Sequence, residues 1–235
     1  MNSLKQYITE KFQVSKDNIR QYKYYPETKE ELREILEDRL FDDRDADLND
    51  IDVSAITDMS TLKNGMGLFE GLDPHNIDIN EWDVSNVKNM AEMFARCENF
   101  NSNLSNWDVS KVKKMNHMFY KCKKFEGKGL EKWDVSKVKT MHAMFISCEK
   151  FNTDLSKWNV SNVESMENMF LHCANFNKDI SKWNVSKVTN MFFMFYGCEK
   201  FNCDLSDWDV LNVTDMRSMF GECKALKKLP VWYLK

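Results

Sequence analysis

Apolar residues recur along this chain in a fixed phase. Two residues after a Trp come Val84, Val109, Val135, Val160, Val185 and Val210, and five after it come Val87, Val112, Val138, Val163, Val188 and Val213. Eight after it stand Met90, Met115, Met141, Met166, Met191 and Met216. A Met-Phe pair follows, from Met93-Phe94 to Met219-Phe220, and three residues beyond each Phe is Cys97, Cys122, Cys148, Cys173, Cys198 or Cys223. Phe100, Phe125, Phe151, Phe176 and Phe201 come next, then Leu104, Leu130, Leu155, Ile180 and Leu205 ahead of the next indole. The seven tryptophans (Trp82, Trp107, Trp133, Trp158, Trp183, Trp208 and Trp232) are separated by 25, 26, 25, 25, 25 and 24 residues. A fixed period of this size marks repeats that stack and bury a shared core.

Two shorter periods alternate inside each unit. L-x-x-W-x-V, as in Leu155–Val160, predicts a short strand with Trp158 and Val160 inward and Lys157 and Asn159 outward. From Ser161 the apolar spacing becomes 3, 3, 3, 1, 3, 3 through Val163, Met166, Met169, Phe170, Cys173 and Phe176, which predicts a helix or helical turn. Ser161 and Glu164 have the spacing of a capping box. The expected fold is therefore α/β: a leucine-rich-repeat-like right-handed solenoid, with one short parallel strand plus one helix or helical turn per 25-residue coil. The third coil carries one extra residue and Gly127 and Gly129, which predicts a bulge. Residues 51–75 keep Val53, Ile56, Met59 and Leu62 with Ile51 in the Trp place and read as a divergent first coil. Regular coils span about 76–226, and 227–235 form a closing half-repeat. Residues 1–50 do not repeat. Thr28 with Glu31, and the stripe Leu32, Ile35, Leu36, Leu40, predict a helix there, and the segment reads as an N-terminal helical cap.

Composition sharpens this. Gly (7) and Pro (3) are scarce, so Asn, Asp and Ser must make the turns. The net charge of −4 gives no electrostatic case for nucleic acid. The start MNSLKQYITEKFQ has no secretory pattern and no 18-residue apolar run occurs, so a cytoplasmic chain without a membrane span is expected, with the cell surface as the alternative if a leader is removed or export is non-standard. Seven cysteines, one per coil on an apolar stripe apart from Cys203, read as buried free thiols, with Cys203 the exposed one.

The phrase FNTDLSKWNVSNVESMENMFLHC (151–173) resembles the consensus of the BspA-like leucine-rich-repeat family of bacterial proteins, and DADLNDIDVSAITDMS (45–60) resembles the front end of its members. The resemblance spans about residues 26–226. It implies a leucine-rich-repeat-like fold and, since many relatives are surface proteins associated with adhesion, an adhesin-type role binding host or matrix proteins as an alternative to an intracellular scaffold.

Chemistry-bearing motifs are few. His75, His117, His142 and His172 occupy unrelated phases of the repeat, and no nucleophile–base pair is evident, so no catalytic residue, metal or cofactor is expected. DADLNDIDVSAI (45–56) has acids at the first and third places of a calcium loop, but Asp50 and Ile56 stand where Gly and Glu are needed, and an acidic junction is the better reading. The expected function is a non-catalytic, monomeric protein-interaction scaffold. Its candidate surface is two outward columns beside the indoles: Glu81, Asn106, Lys132, Lys157, Lys182 and Asp207 in one, and Asp83, Asp108, Asp134, Asn159, Asn184 and Asp209 in the other. The uniformity of the second column equally suits Asp and Asn side chains that hydrogen-bond the local backbone.

Overall fold

A computed structural model describes residues 21–234 of the chain. The first part of the expected 1–50 cap, the leader reading and Lys235 lie outside the described residues.

The N-terminal helix α1 spans Lys29–Asp42. The Thr28 hydroxyl accepts from the Glu31 amide at 3.2 Å, and the Glu27 amide donates back to the Glu31 carboxylate at 2.8 Å. The Glu31 amide, one of those orphaned at the helix start, thus finds an acceptor, and the Glu31 carboxylate in turn ties down the residue before the cap. Leu32, Leu36 and Leu40 are fully buried, and Asp43 turns extended to end the helix. Beyond it, coils stack through single-residue parallel bridges that run Asp58, Asn89, Lys114, Thr140, Ser165, Asn190 and Asp215, each paired to the next.

The local elements differ from those the spacing predicts. Among the described residues no coil contains an α-helix. The three-residue apolar period comes instead from consecutive four-residue turns. In the coil of Trp158, the Met169 amide closes onto the Met166 carbonyl at 3.1 Å, Cys173 onto Phe170 at 2.9 Å and Phe176 onto Cys173 at 3.0 Å. Asn168 and His172, third in the first two turns, have φ of 56° and 60°. A type II turn calls for positive φ there, and a right-handed helix cannot contain it. The amides of Met166, Asn168, Phe170 and His172 are thereby turned away from their own coil. They donate to Asn190, Phe192, Met194 and Tyr196 of the next coil at 3.0, 2.8, 2.9 and 2.7 Å. Ser161 caps nothing helical; its amide and hydroxyl both donate to the Asn159 side chain.

The L-x-x-W-x-V segment is likewise not a ladder strand: among the described residues it forms no β-bridge in the regular coils, its one backbone bond to the next coil there being from the Leu104 amide to Lys128 at 3.0 Å, and the bridges lie seven residues past the indole. The indole does the joining instead. Trp107, Trp133, Trp158, Trp183 and Trp208 each donate Nε1–H to the carbonyl of Ile79, Leu104, Leu130, Leu155 and Ile180 one coil back, at 2.8–3.2 Å. Trp82 does the same to Leu48, and Trp232 to Leu205.

Like side chains stack along the axis. The Trp rings of adjacent coils lie parallel with centroids 6.3–6.5 Å apart wherever they stack. Phe94, Phe119, Phe145, Phe170, Phe195 and Phe220 form a ladder at 5.6–5.8 Å. The thiols of Cys122, Cys148, Cys173 and Cys198 donate to the carbonyls of Phe94, Phe119, Phe145 and Phe170 at 2.9–3.0 Å. All seven cysteines are free; Cys203 is half-buried rather than exposed. The extra residue of the third coil is absorbed by Gly127 and Gly129, at φ 88° and 97°, and by a 3₁₀ turn at Leu130–Lys132 rather than by a ladder bulge. A Cβ on Gly129 would stand 2.3 Å from the Ser105 amide nitrogen.

Candidate interaction surface

The two columns beside the indoles are fully outward: all twelve residues are exposed. The second column is occupied locally. Asp83, Asp108, Asp134, Asn159 and Asn184 each accept from the amide of the Ser two residues on, at 2.9–3.2 Å, and Asp209 accepts from Leu211 at 3.2 Å. Hydrogen bonds from Ser110 hold the Asp108 carboxyl below its ordinary range. These carboxylates and amides make the turn that follows the indole, the task that Gly and Pro perform in other proteins.

The first column has no such duty. Asn106 donates to Glu81 at 2.8 Å, and Lys182 lies 3.4 Å from Asp207 with both side chains 79% exposed. Such an exposed pair adds little to stability. Lys132 and Lys157 have no ion-pair partner among the described residues. The structure thus brings three lysines together on successive coils, Lys132, Lys157 and Lys182, with Glu81 and Asp207 toward the ends.

A second outward region was not singled out from the sequence. It lies beside the bridge ladder, at positions nine to fourteen after each Trp. There His117 meets His142 edge to face at 4.8 Å, and His142 Nδ1 lies 3.6 Å from Glu167. Burial, and secondarily His142, push the His117 imidazole below its ordinary pKa against the pull of Glu167. Tyr120 carries Arg96 and Lys121 over its ring, and Arg217 lies over Phe192. The histidines differ by one place in repeat phase but sit on adjacent coils, which is why counting phases separates them and stacking joins them. The readable signal was variability: position nine runs Ala91, Asn116, His142, Glu167, Phe192, Arg217 while the core columns stay constant.

Among the described residues no group of three or more His, Cys, Asp or Glu is placed to hold a metal ion, and no helix is long and apolar enough to cross a membrane. Residues 45–56 form the junction of α1 with the first coil: Asp50 pairs with Arg39 at 2.7 Å and Lys23 at 3.0 Å, and Asp47 accepts from the Asn49 amide.

With this repeat geometry in hand, one family model, described as Mycoplasma protein of unknown function, DUF285, matches residues 34–130 and 122–232. The chain belongs to that family. DUF285 is a bacterial repeat family whose function is unknown, and its two matches together run from within α1 to residue 232. No curated protein and no solved structure matches the chain.

Proposed function

We propose that this DUF285 protein is a right-handed solenoid of leucine-rich-repeat type, related to the BspA-like proteins, that works as a non-catalytic, monomeric scaffold for another protein. The binding surface is the exposed pair of columns beside the indoles. Lys132, Lys157 and Lys182 are its centre, and the Asp and Asn column is the turn framework that holds them in line. The reading rests on one observation: an outward row that changes from coil to coil stands on a core that does not. Among the described residues Lys132 and Lys157 have no ion pair to keep, which leaves them available to a partner. Coils about 4.8 Å apart would present the three ammonium groups as a short ruler, matched by an acidic segment of a protein partner.

The chain is proposed to act in the cytoplasm. A pull-down from the native cytosol with the wild-type chain, and with Lys132→Glu, Lys157→Glu and Lys182→Glu combined, tests both parts. The expected result is one specific protein retained by wild type and lost with the triple variant, with the fold intact by thiol protection. Retention by both would move the site to the bridge-ladder side. Labelling of the chain on intact cells would replace the scaffold by the adhesin-type reading.

A further inference from the structure

The coil junctions carry more backbone hydrogen bonds in one direction than in the other. At the last one, the amides of Met191, Phe193, Phe195 and Gly197 donate forward to Asp215, Arg217, Met219 and Gly221 at 2.7, 3.1, 2.9 and 2.8 Å. The four junctions before it repeat this pattern. In an ordinary sheet successive peptide groups alternate and their dipoles cancel. Here the alternate peptides of this run close turns inside the coil, so its four crossing peptides point forward together; they outnumber the bonds that run backward at the same junction, Thr214 to Thr189 at 2.8 Å and Ala225 to Glu199 at 3.0 Å, and leave a net direction. The stack therefore has a carbonyl end and an amide end.

The carbonyl end is covered by cations. From α1, Lys29 Nζ donates to the Thr61 carbonyl at 2.6 Å, and Arg33 Nη1 donates to those of Leu68 and Glu70 at 2.9 and 2.8 Å. At the amide end, the N–H groups of Met216, Ser218, Phe220 and Glu222 have no acceptor among the described residues. Apolar surface is open there too. Val213 and Met216 are only partly buried, where their counterparts Val188 and Met191 are 0% exposed, and Leu211 is 91% exposed. The 3₁₀ turn Val231–Leu234 covers the indole side alone, through Trp232 and Tyr233 on Phe220. A cleft of about 550 Å³ remains between Tyr233 and residues 214–217.

We infer that this edge docks one further coil of the same repeat, supplied by another polypeptide. Four amides two residues apart call for carbonyls with the same spacing, which an extended repeat coil presents at every inner junction. A small anion would satisfy the amides and leave Val213 and Met216 wet. A second copy meeting tail to tail would set donors against donors, and one meeting head to tail would find its carbonyl end already occupied by α1. A coil of a related repeat protein offers both the acceptors and the apolar face.

The test is a synthetic peptide with the sequence of residues 183–207, added to the whole chain and followed by amide hydrogen exchange. Binding at one to one, with exchange at Met216, Ser218, Phe220 and Glu222 slowed at least tenfold, is the expected result. A peptide carrying Met194→Asp and Phe195→Asp should lose that protection without any change to the protein. Met216→Glu in the chain should weaken binding at least tenfold. No slowing at saturating peptide, or slowing that the altered peptide reproduces, overturns the inference. Protection that rises with concentration of the chain alone, together with a dimer mass, assigns the edge to a second copy and overturns it as well. None of these outcomes depends on the lysine column.

Discussion

Trp158→Phe isolates what the indole ladder contributes. Trp158 is 3% exposed, stacks at 6.5 Å on Trp183, and donates to the Leu130 carbonyl at 2.8 Å. Phe keeps an aromatic face but removes the N–H and roughly 40 Å³ of buried volume, which at about 24 cal/mol per Å³ is worth ~1 kcal/mol. The lost hydrogen bond contributes about 1 kcal/mol net. Leu130 keeps the Trp158-independent bond from the Trp133 amide at 3.1 Å, so its carbonyl is not orphaned and no larger penalty applies. The sum is ~2 kcal/mol. Trp232→Phe deletes an equivalent bond, at 2.9 Å to Leu205, from a half-buried indole at the open end, and should cost about half as much because water fills the gap. Urea titrations of both variants, followed by the fluorescence of the six remaining tryptophans, give the two midpoints. Equal shifts, or a Trp158→Phe shift within error of zero, would show that the indole bonds do not join the coils.

Three further outcomes follow from the same geometry. Alkylation of the native protein should modify Cys203 first and Cys223 more slowly, since burial has pushed the Cys223 thiol up to about 11. Cys97, Cys122, Cys148, Cys173 and Cys198 should stay unmodified until denaturant is added, and peptide mapping that finds any of them labelled early refutes the thiol–carbonyl column. Burial alone would raise the Asp50 carboxyl, but Arg39 and Lys23 outweigh it and hold it below the ordinary carboxylate range in the folded chain. Its contribution to stability is therefore present above the unfolded value and lost as pH falls through the lower folded one. Asp50→Asn should lower the melting temperature at pH 7 and match wild type in strong acid, and a difference that survives in acid would deny the ion pair its role. Gly129→Ala combines φ of 97° with a 2.3 Å approach to Ser105 and should destabilise clearly more than Gly65→Ala, where φ is 85° with no atom within 4 Å and the cost is about 1 kcal/mol. Equal thermal shifts for the two alanines would mean that the third coil yields freely.

The period located the buried columns because the core residues repeat without exception through the inner coils, and α1 announced itself by Thr28, Glu31 and its leucine stripe. The local conformation was less legible. Three-residue apolar spacing serves a helix and a run of closed turns equally, and only φ distinguishes them. The residues at the first positive-φ place, Glu92, His117, Ala143, Asn168, Phe193 and Ser218, include types that rarely adopt it, and at the second place only Gly197 is a glycine, so Gly did not mark the turns as a repeating feature. The inter-coil amide bonds at those places override the local preference. Lys132, Lys157 and Lys182 could be placed in one row from the period alone. The His117–His142–Glu167 contact could not, because it joins neighbouring phases on different coils.

Since each junction between the regular coils repeats the one before it, nothing in the buried ladders tells one coil from another except the 26-residue unit at Gly127–Lys132 and the two dissimilar ends. Gain or loss of a whole unit would keep every ring and thiol in contact with its own kind and shift the tail by roughly 5 Å. Lineages could thus lengthen or shorten this molecule by duplication and deletion while its foldability stayed the same.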